Sequence, residues 1–348
     1  MISKHQAIEL LRRAGIANPV RLVQLTAQTV EALRLDLSGM VVVTEAASGP
    51  YVVTPIIAAI AGAAEVRAIT ADSRYASAAE VVAQTEAFQT LCGARNTVKI
   101  YTKRSIDIFR GADIVTNLGF VRPLDAEAIA AMPLGSMIAL MCEAWEFRPG
   151  DIDLDFCRSR GIRVVATNED YPGLDVFNYS GYLCAKLLLD AQLELHKCEV
   201  LIVGGDKFGS VICDCLRRLG VFAKLSSALC PSDLATVDAV VVADYSREGA
   251  IIGDAGDMTA AEVARARSSL TVIQFAGQVD VVGLEREGIF VHPGSALPAH
   301  RMAVTLAGLG PRPVAELHTA GFKVGELVIR GTEMKPGGYS GLAVPLEV

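Results

Sequence analysis

The sequence predicts an α/β protein of two Rossmann-like or flavodoxin-like parallel-sheet domains separated by a cleft, with the C-terminal segment returning to the first domain. Three observations predict it. The chain has 348 residues, 51% of them hydrophobic and 20% charged, which is too long for one ordinary core and too apolar for a disordered chain. Ala, Val, Ile, Leu and Gly dominate while aromatic residues reach only 6%, a composition that suits buried parallel strands covered by helices. From Met40 onward, short β-rich runs alternate with stretches at helical spacing, which implies crossover connections.

Taken in order, residues 4–35 carry apolar positions at helical spacing (Ile8, Leu10, Leu11, then Leu22, Val23, Leu25) and break at Gly15 and Asn18-Pro19, so two helices are expected. Strands are expected at Met40–Val43, Glu65–Thr70, Val98–Tyr101, Asp113–Thr116, Met137–Met141 and Arg163–Ala166. Ser180 to Leu195 reads as one helix. Glu199–Val203 then opens a second βα series, continued by Phe222–Leu225, Ala239–Ala243, Leu270–Phe275 and Ile289–Val291. The final fifty residues, including a Gly-Gly-Tyr-Ser-Gly tail from Gly337, are too few for a third domain and should pack on the first. The expected division is therefore 1–178 plus 300–348 as a substrate domain, with 179–299 as an NAD(P)-binding Rossmann domain.

A net charge of −7 argues against a nucleic-acid or membrane-surface binder, because no positive field recruits phosphates; the expected partner is a small molecule. The eight cysteines form no C-x-x-C pair and sit mostly in apolar runs, which points to free thiols and a reducing cytoplasm. The opening Met1-Ile2-Ser3-Lys4-His5 leads into an amphipathic helix rather than a secretory signal, and the apolar stretch from Pro55 to Ala64 ends at Glu65, too short to span a bilayer. No metal framework is expected.

Residues 200–209 read Val-Leu-Ile-Val-Gly-Gly-Asp-Lys-Phe-Gly and run into an apolar helix. Gly204 suits the tight strand-to-helix turn, Gly209 close helix–strand packing, and the helix N-terminus a diphosphate. Gly205, Lys207 and Phe208 complete the expected cofactor turn, although a regular G-x-G-x-x-G would place glycine where Asp206 stands. A glycine turn built only for packing is the competing explanation. Asp206 would repel a diphosphate unless Lys207 neutralises it. After the second strand, Ser226 and Ser227 replace the usual ribose-binding acid, so NAD and NADP both stay open as cofactor.

In the first domain, five strand ends carry dense polar groups on the carboxyl edge of the sheet, where α/β proteins bind ligands. They supply Thr44 and Ser48; Asp72 and Arg74; Asn117 and Arg122; Glu143, Glu146 and Arg148; and Asn168 and Glu169 as candidate substrate contacts, with Glu143 also a candidate base. Solvated loops are polar for duller reasons as well. His300 is the candidate proton carrier, with His292 behind it; His318 reads as packed on a helix, and His5 and His196 as solvated.

Several segments together resemble the two-lobed Rossmann superfamily of S-adenosylhomocysteine hydrolase and the D-2-hydroxyacid dehydrogenases, mainly over 110–310. Asp151-Ile152-Asp153-Leu154 through Gly161-Ile162-Arg163-Val164 is similar to its acidic-aliphatic stretch and G-I-x-V. Phe177-Asn178-Tyr179-Ser180-Gly181 is similar to the start of its interdomain helix. Ala276-Gly277-Gln278-Val279-Asp280 with Leu284, and Leu297-Pro298-Ala299-His300, resemble the dehydrogenase segments around the substrate arginine and the catalytic histidine. The resemblance implies the fold, an inserted coenzyme domain and a homodimer. The family's catalytic residues are not retained: Ala276 stands for the arginine, Asn178 for the hydrolase aspartate and Gln278 for its histidine. Three functions follow as expectations: an NAD(P)-dependent oxidoreductase acting on a small polar, anionic substrate; an adenosyl-compound hydrolase, lyase or transferase with a tightly bound nucleotide; or a non-catalytic metabolite-binding protein.

Overall fold

A computed structural model describes residues 2–94, 97–333 and 338–346; Gly337, the first residue of the expected tail, lies outside them. The chain divides into two compact units, one of residues 1–176 with 310–348, the other of residues 177–309.

In the first unit, α1 (Lys4–Arg13) starts at a capping box between Ser3 and Gln6, and α2 (Pro19–Ala32) at an Asn18 cap with Pro19 in its first turn. Then follow β1 (Val41–Glu45), α3 (Val53–Ile60), β2 (Glu65–Ile69), α4 (Ala78–Cys92), β3 (Val98–Tyr101), β4 (Ile114–Thr116), α5 (Ala126–Ala131), β5 (Met137–Ala139), α6 (Leu154–Arg160) and β6 (Arg163–Thr167). The second unit comprises α7 (Tyr179–Asp190), β7 (Glu199–Val203), α8 (Lys207–Arg218), β8 (Phe222–Ser226), β9 (Ala239–Ala243), α9 (Ala260–Ala266), β10 (Thr271–Ala276), α10 (Val281–Arg286) and β11 (Phe290–His292). The chain returns to the first unit as α11 (Pro311–Ile329) and β12 (Ala343–Pro345).

The first sheet has seven strands in the order β12-β6-β5-β4-β1-β2-β3, the second five in the order β11-β10-β9-β7-β8. All pairings are parallel except β12 against β6, where Val344 lies opposite Ala166. That antiparallel strand, ending in Pro345, covers the backbone edge of β6. In each sheet the strand order reverses beside the first strand: between β1 and β4, and between β7 and β9. Those reversals open a crevice at the carboxyl ends of the strands.

The predicted α/β class with two parallel sheets is the observed one, and the strands fall within one or two residues of their expected positions. Two expectations are corrected. The helix expected to run to Leu195 stops at Asp190, because Gln192 turns left-handed (φ 63°) and Leu193 N–H closes back on Leu188 O. Residues 300–309 belong with the second unit: Ala303 N–H donates to Phe275 O at 2.9 Å, and Met302, Val304, Leu306 and Leu309 pack on its core. The last segment does pack on the first unit. Gly321 and Gly325 let α11 lie directly on the sheet, since a Cβ on Gly325 would come 2.7 Å from Ile114 Cδ1. Among the described residues no helix is long and apolar enough to cross a membrane.

Candidate functional site

In the second unit the turn from β7 to α8 is set by two close approaches. A Cβ on Gly204 would lie 2.0 Å from Ala243 O, on the neighbouring β9, so only glycine fits between the strand ends. A Cβ on Gly209 would lie 3.0 Å from Gly204 O and 2.9 Å from Leu225 Cδ1, which seats the first turn of α8 against the strands. Phe208 points into the core, stacked on Phe177 at 4.7 Å and tilted against Phe275 at 5.5 Å; what it offers the turn is its backbone N–H.

That N–H is taken by Asp206. Its Oδ1 accepts from Phe208 N–H at 2.9 Å, and its Oδ2 from Tyr245 N–H at 2.6 Å and Ser246 N–H at 3.2 Å. Asp244 completes the arrangement: Oδ2 accepts from Gly205 N–H at 3.1 Å and Oδ1 from the Ser246 hydroxyl at 2.9 Å. Burial pushes the Asp206 carboxyl above the usual range, and Asp244 adds to the rise, while the three amides oppose it. The Lys207 ammonium lies over the Phe177 ring at 4.1 Å, and backbone amides of Phe208, Tyr245 and Ser246 compensate the Asp206 carboxylate.

These contacts test whether a dinucleotide fits. Three N–H groups from two loops converge on one carboxylate, a donor arrangement of the kind that holds anions. The glycine cradle and the converging amides fit a diphosphate that takes the place of Asp206. Ser226 is less open: its hydroxyl donates to Ala228 O at 2.7 Å and accepts from Ala228 N–H; Ser227 is exposed beside it.

His300 adjoins the same loop. It sits in a left-handed turn (φ 55°) outside any helix. Its Nδ1 lies 2.9 Å from Tyr245 O; a carbonyl only accepts, so Nδ1 carries the proton and the neutral ring keeps its lone pair on Nε2. Glu248 Oε1 stands 3.3 Å from Nε2, an acceptor for a proton carried there. Glu248 was not singled out in the sequence, and an acid in an exposed loop gives no signal by which to find it. His292 belongs to β11 and stacks against Phe290.

In the first unit the carboxyl ends of β1, β4, β5 and β6 bring Thr44, Asn117, Glu143, Glu146 and Glu169 together. Thr116 Oγ1 bonds Thr44 Oγ1 at 3.2 Å. Asn117 Oδ1 accepts from Met141 N–H at 2.8 Å. Glu143 Oε1 accepts from Glu169 N–H at 3.0 Å, and Glu146 reaches back to Glu143 N–H. Glu45, absent from the expected set, ends β1 at the reversal itself. It is buried and accepts from Phe120 N–H at 3.3 Å; burial raises its carboxyl above the ordinary value, opposed by that bond, by Arg122 and by the Gly119 amide. The signal was present as an acid closing an otherwise apolar strand.

The other candidates are occupied elsewhere. Asp72 caps α4 through Ala78 N–H at 2.8 Å, and Arg74 lies over the Tyr75 ring. Arg122 pairs with Asp151, so two of the arginines expected to take an anionic substrate are engaged within the protein. Asn168 ties down the returning segment, donating from its backbone to Leu342 O and from Nδ2 to Gly341 O. Ser48 makes no capping bond, and Arg148 is half-buried in the loop after β5. Among the described residues no group of three or more His, Cys, Asp or Glu is placed to hold a metal ion.

No protein-family model matches this chain, and no curated protein matches its sequence. Solved structures do. One of the subunits of dipicolinate synthase from Bacillus halodurans superposes with a TM-score of 0.54 at 12% identity, covering 84% of this chain and 99% of that one. A putative D-3-phosphoglycerate dehydrogenase from Ralstonia solanacearum gives 0.44 at 13% identity, covering 68% and 87%. D-mandelate dehydrogenase from Rhodotorula graminis gives 0.36 at 12%, covering 72% and 92%. The likeness to the dipicolinate synthase subunit is one of fold.

Proposed function

We propose that the protein is an NAD(P)-dependent oxidoreductase whose second unit holds the coenzyme and whose His300 moves the proton. The observation that carries this reading is the convergence of the Phe208, Tyr245 and Ser246 amides on one anionic position at the reversal of strand order, with His300 fixed to the same loop. The bound coenzyme would supply hydride acceptance or donation. This chain's residues do the rest. Nδ1–H of His300, held by the Tyr245 carbonyl, fixes the ring so that Nε2 takes the proton of a hydroxyl or amine as its carbon is oxidised, or returns it on reduction. Glu248 provides a counter-charge for the protonated ring.

The substrate class moves with the structure. The rim of the first unit presents Asn117, Glu143, Glu169 and the enclosed Glu45, while Arg74 and Arg122 have partners. That chemistry favours a small hydroxyl- or amine-bearing substrate over a carboxylate. A second reading, an adenosyl compound without a diphosphate, is favoured by one observation: Asp206 and Asp244 as they stand would accept from an amine or ribose hydroxyls.

Thermal melts with NAD, NADH, NADP, NADPH and S-adenosylhomocysteine separate the two. A dinucleotide at a hundredfold excess over its Kd should stabilise the second unit by about 2.7 kcal/mol. A shift with S-adenosylhomocysteine and none with any dinucleotide at millimolar concentration would refute the coenzyme reading.

A further inference from the structure

We infer that Asp206 is a built-in substitute for a ligand phosphate, and that a diphosphate enters the second unit only by displacing it, which gives the peptide that anchors His300 a new acceptor. The inference rests on the coenzyme reading above and adds a specificity-determining residue to it.

The argument starts from position. Asp206 stands where a dinucleotide turn needs the chain without a side chain. Its own backbone is extended (φ −104°, ψ −172°), a conformation open to any residue, so glycine there would be neutral for the turn, and the carboxylate is what the position adds. A helix cap alone does not explain that carboxylate. Capping α8 needs one acceptor for one N–H, whereas Asp206 also reaches Tyr245 and Ser246, forty residues away in the loop after β9. It does so while partly desolvated and close to a second acid, Asp244.

The coupling follows from one amide. The peptide between Tyr245 and Ser246 donates its N–H to Asp206 at 3.2 Å and accepts His300 Nδ1–H on its carbonyl at 2.9 Å. The two bonds lie at opposite ends of one planar unit and polarise it in the same sense. A diphosphate, with more charge and more acceptor oxygens than a carboxylate, would compete for the same donors. When Asp206 leaves, the peptide exchanges its acceptor and the support of His300 changes with it. Asp244 keeps its bonds to Gly205 and the Ser246 hydroxyl, so the loop stays tethered. Occupancy of the coenzyme position would thereby reset the proton-transferring ring.

The test uses the full chain and two variants, Asp206→Gly and Asp206→Asn. Glycine at the cap costs little helix stability, and Asn keeps the size and the cap without the charge. Calorimetric titration with NAD should show binding about ten- to a hundredfold tighter in Asp206→Gly than in the wild type, with Asp206→Asn between them. Affinity for adenosine, which brings no phosphate, should change by less than about twofold. As a second readout, saturating the wild type with NAD should shift the His300 ring resonances, because the peptide that holds Nδ1–H changes its acceptor, whereas adenosine should leave them in place. Equal NAD affinity in all three proteins would overturn the displacement and leave the coenzyme reading standing. Failure of all three folded proteins to bind NAD or NADP would overturn that reading and the displacement together. Should Asp206→Gly not fold, the comparison of wild type with Asp206→Asn decides on the same criteria.

Discussion

Acid should unfold the first unit through a single histidine. His318 lies buried in the middle of α11, its Nδ1 2.7 Å from Thr54 Oγ1 and its ring 5.9 Å from that of Tyr51. The Thr54 hydroxyl spends its proton on Tyr51 O at 2.9 Å, so it can only accept from the ring, and Nδ1 is the protonated nitrogen of a neutral imidazole. Burial alone drives the His318 pKa down from 6.5 to about 4. A base with a depressed folded pKa binds its proton in the unfolded chain first. Stability is therefore intact above pH 6.5, falls by about 1.4 kcal/mol per pH unit below it, and levels off near pH 4 after a loss of about 3 kcal/mol.

The assay is built into the sequence, because the single tryptophan, Trp145, lies in the first unit. Urea unfolding followed by Trp145 fluorescence, at intervals between pH 7.5 and pH 4, gives the free energy for the wild type and for His318→Gln, whose side chain does not titrate. The wild type should lose about 3 kcal/mol relative to the variant across that range. Parallel curves would refute the reasoning, since they would mean that the ring is as well solvated in the folded chain as in the unfolded one. The consequence reaches the candidate site: Thr54 lies in the first turn of α3 and Tyr51 in the short 3-10 turn before it, directly after Ser48, so protonating His318 loosens the segment that follows β1.

Two further outcomes separate packing from function. Gly204→Ala should cost at least about 3 kcal/mol and lower the melting temperature of the second unit or abolish soluble protein, because the new Cβ meets a backbone carbonyl at 2.0 Å; Gly205→Ala, with only Asp244 Oδ2 at 3.6 Å, should stay within about 1 kcal/mol of the wild type by the same calorimetric measurement. Equal melting of the two variants would contradict the described turn. Glu45→Gln should melt above the wild type at pH 8 and no higher at pH 4: an acid whose folded pKa is raised costs stability as pH climbs past its unfolded value, and the amide carries no such cost. A variant that melts lower at pH 8 would show that ionised Glu45 stabilises the fold.

Period and composition made the fold legible. The parallel strands declared themselves because both faces are covered and nearly every position is apolar, as in β9, where all five residues are buried. Where the sequence misled, a long-range contact decided. Nothing local at His300 tells that residues 300–309 stay with the second unit; the bond from Ala303 to Phe275 does. β12 is three residues long and finds its place only against β6. The polar rim was legible as a set and less so by member, since a carboxylate that caps a helix, as Asp72 does, and one that closes a strand at the crevice, as Glu45 does, look alike in sequence. Arg122 read as a ligand group until Asp151, twenty-nine residues on, claimed it.

Glu45 and Asp206 pose the same physical question. Each lies at or just past the end of the first strand of its sheet, stands at the reversal of strand order, and keeps a desolvated carboxylate in place with backbone N–H groups as its main compensation: Phe120 for one, Phe208, Tyr245 and Ser246 for the other. Burying a charge costs more than burying a neutral side chain of similar size; a neutral amide would cap α8 as Asp206 does and would need no help from the nearby Arg122 in the place of Glu45, so fold stability does not call for a carboxylate at either position. A ligand does. A hydroxyl or amine that donates to Glu45 would relieve its desolvation, and a diphosphate that takes over the Asp206 amides would return that carboxylate to water. On this account Glu45→Gln gains stability and forfeits substrate affinity, while Asp206→Gly gains coenzyme affinity. A stability gain at Glu45 with substrate binding untouched would leave the first carboxylate without a purpose and confine the functional argument to the second unit.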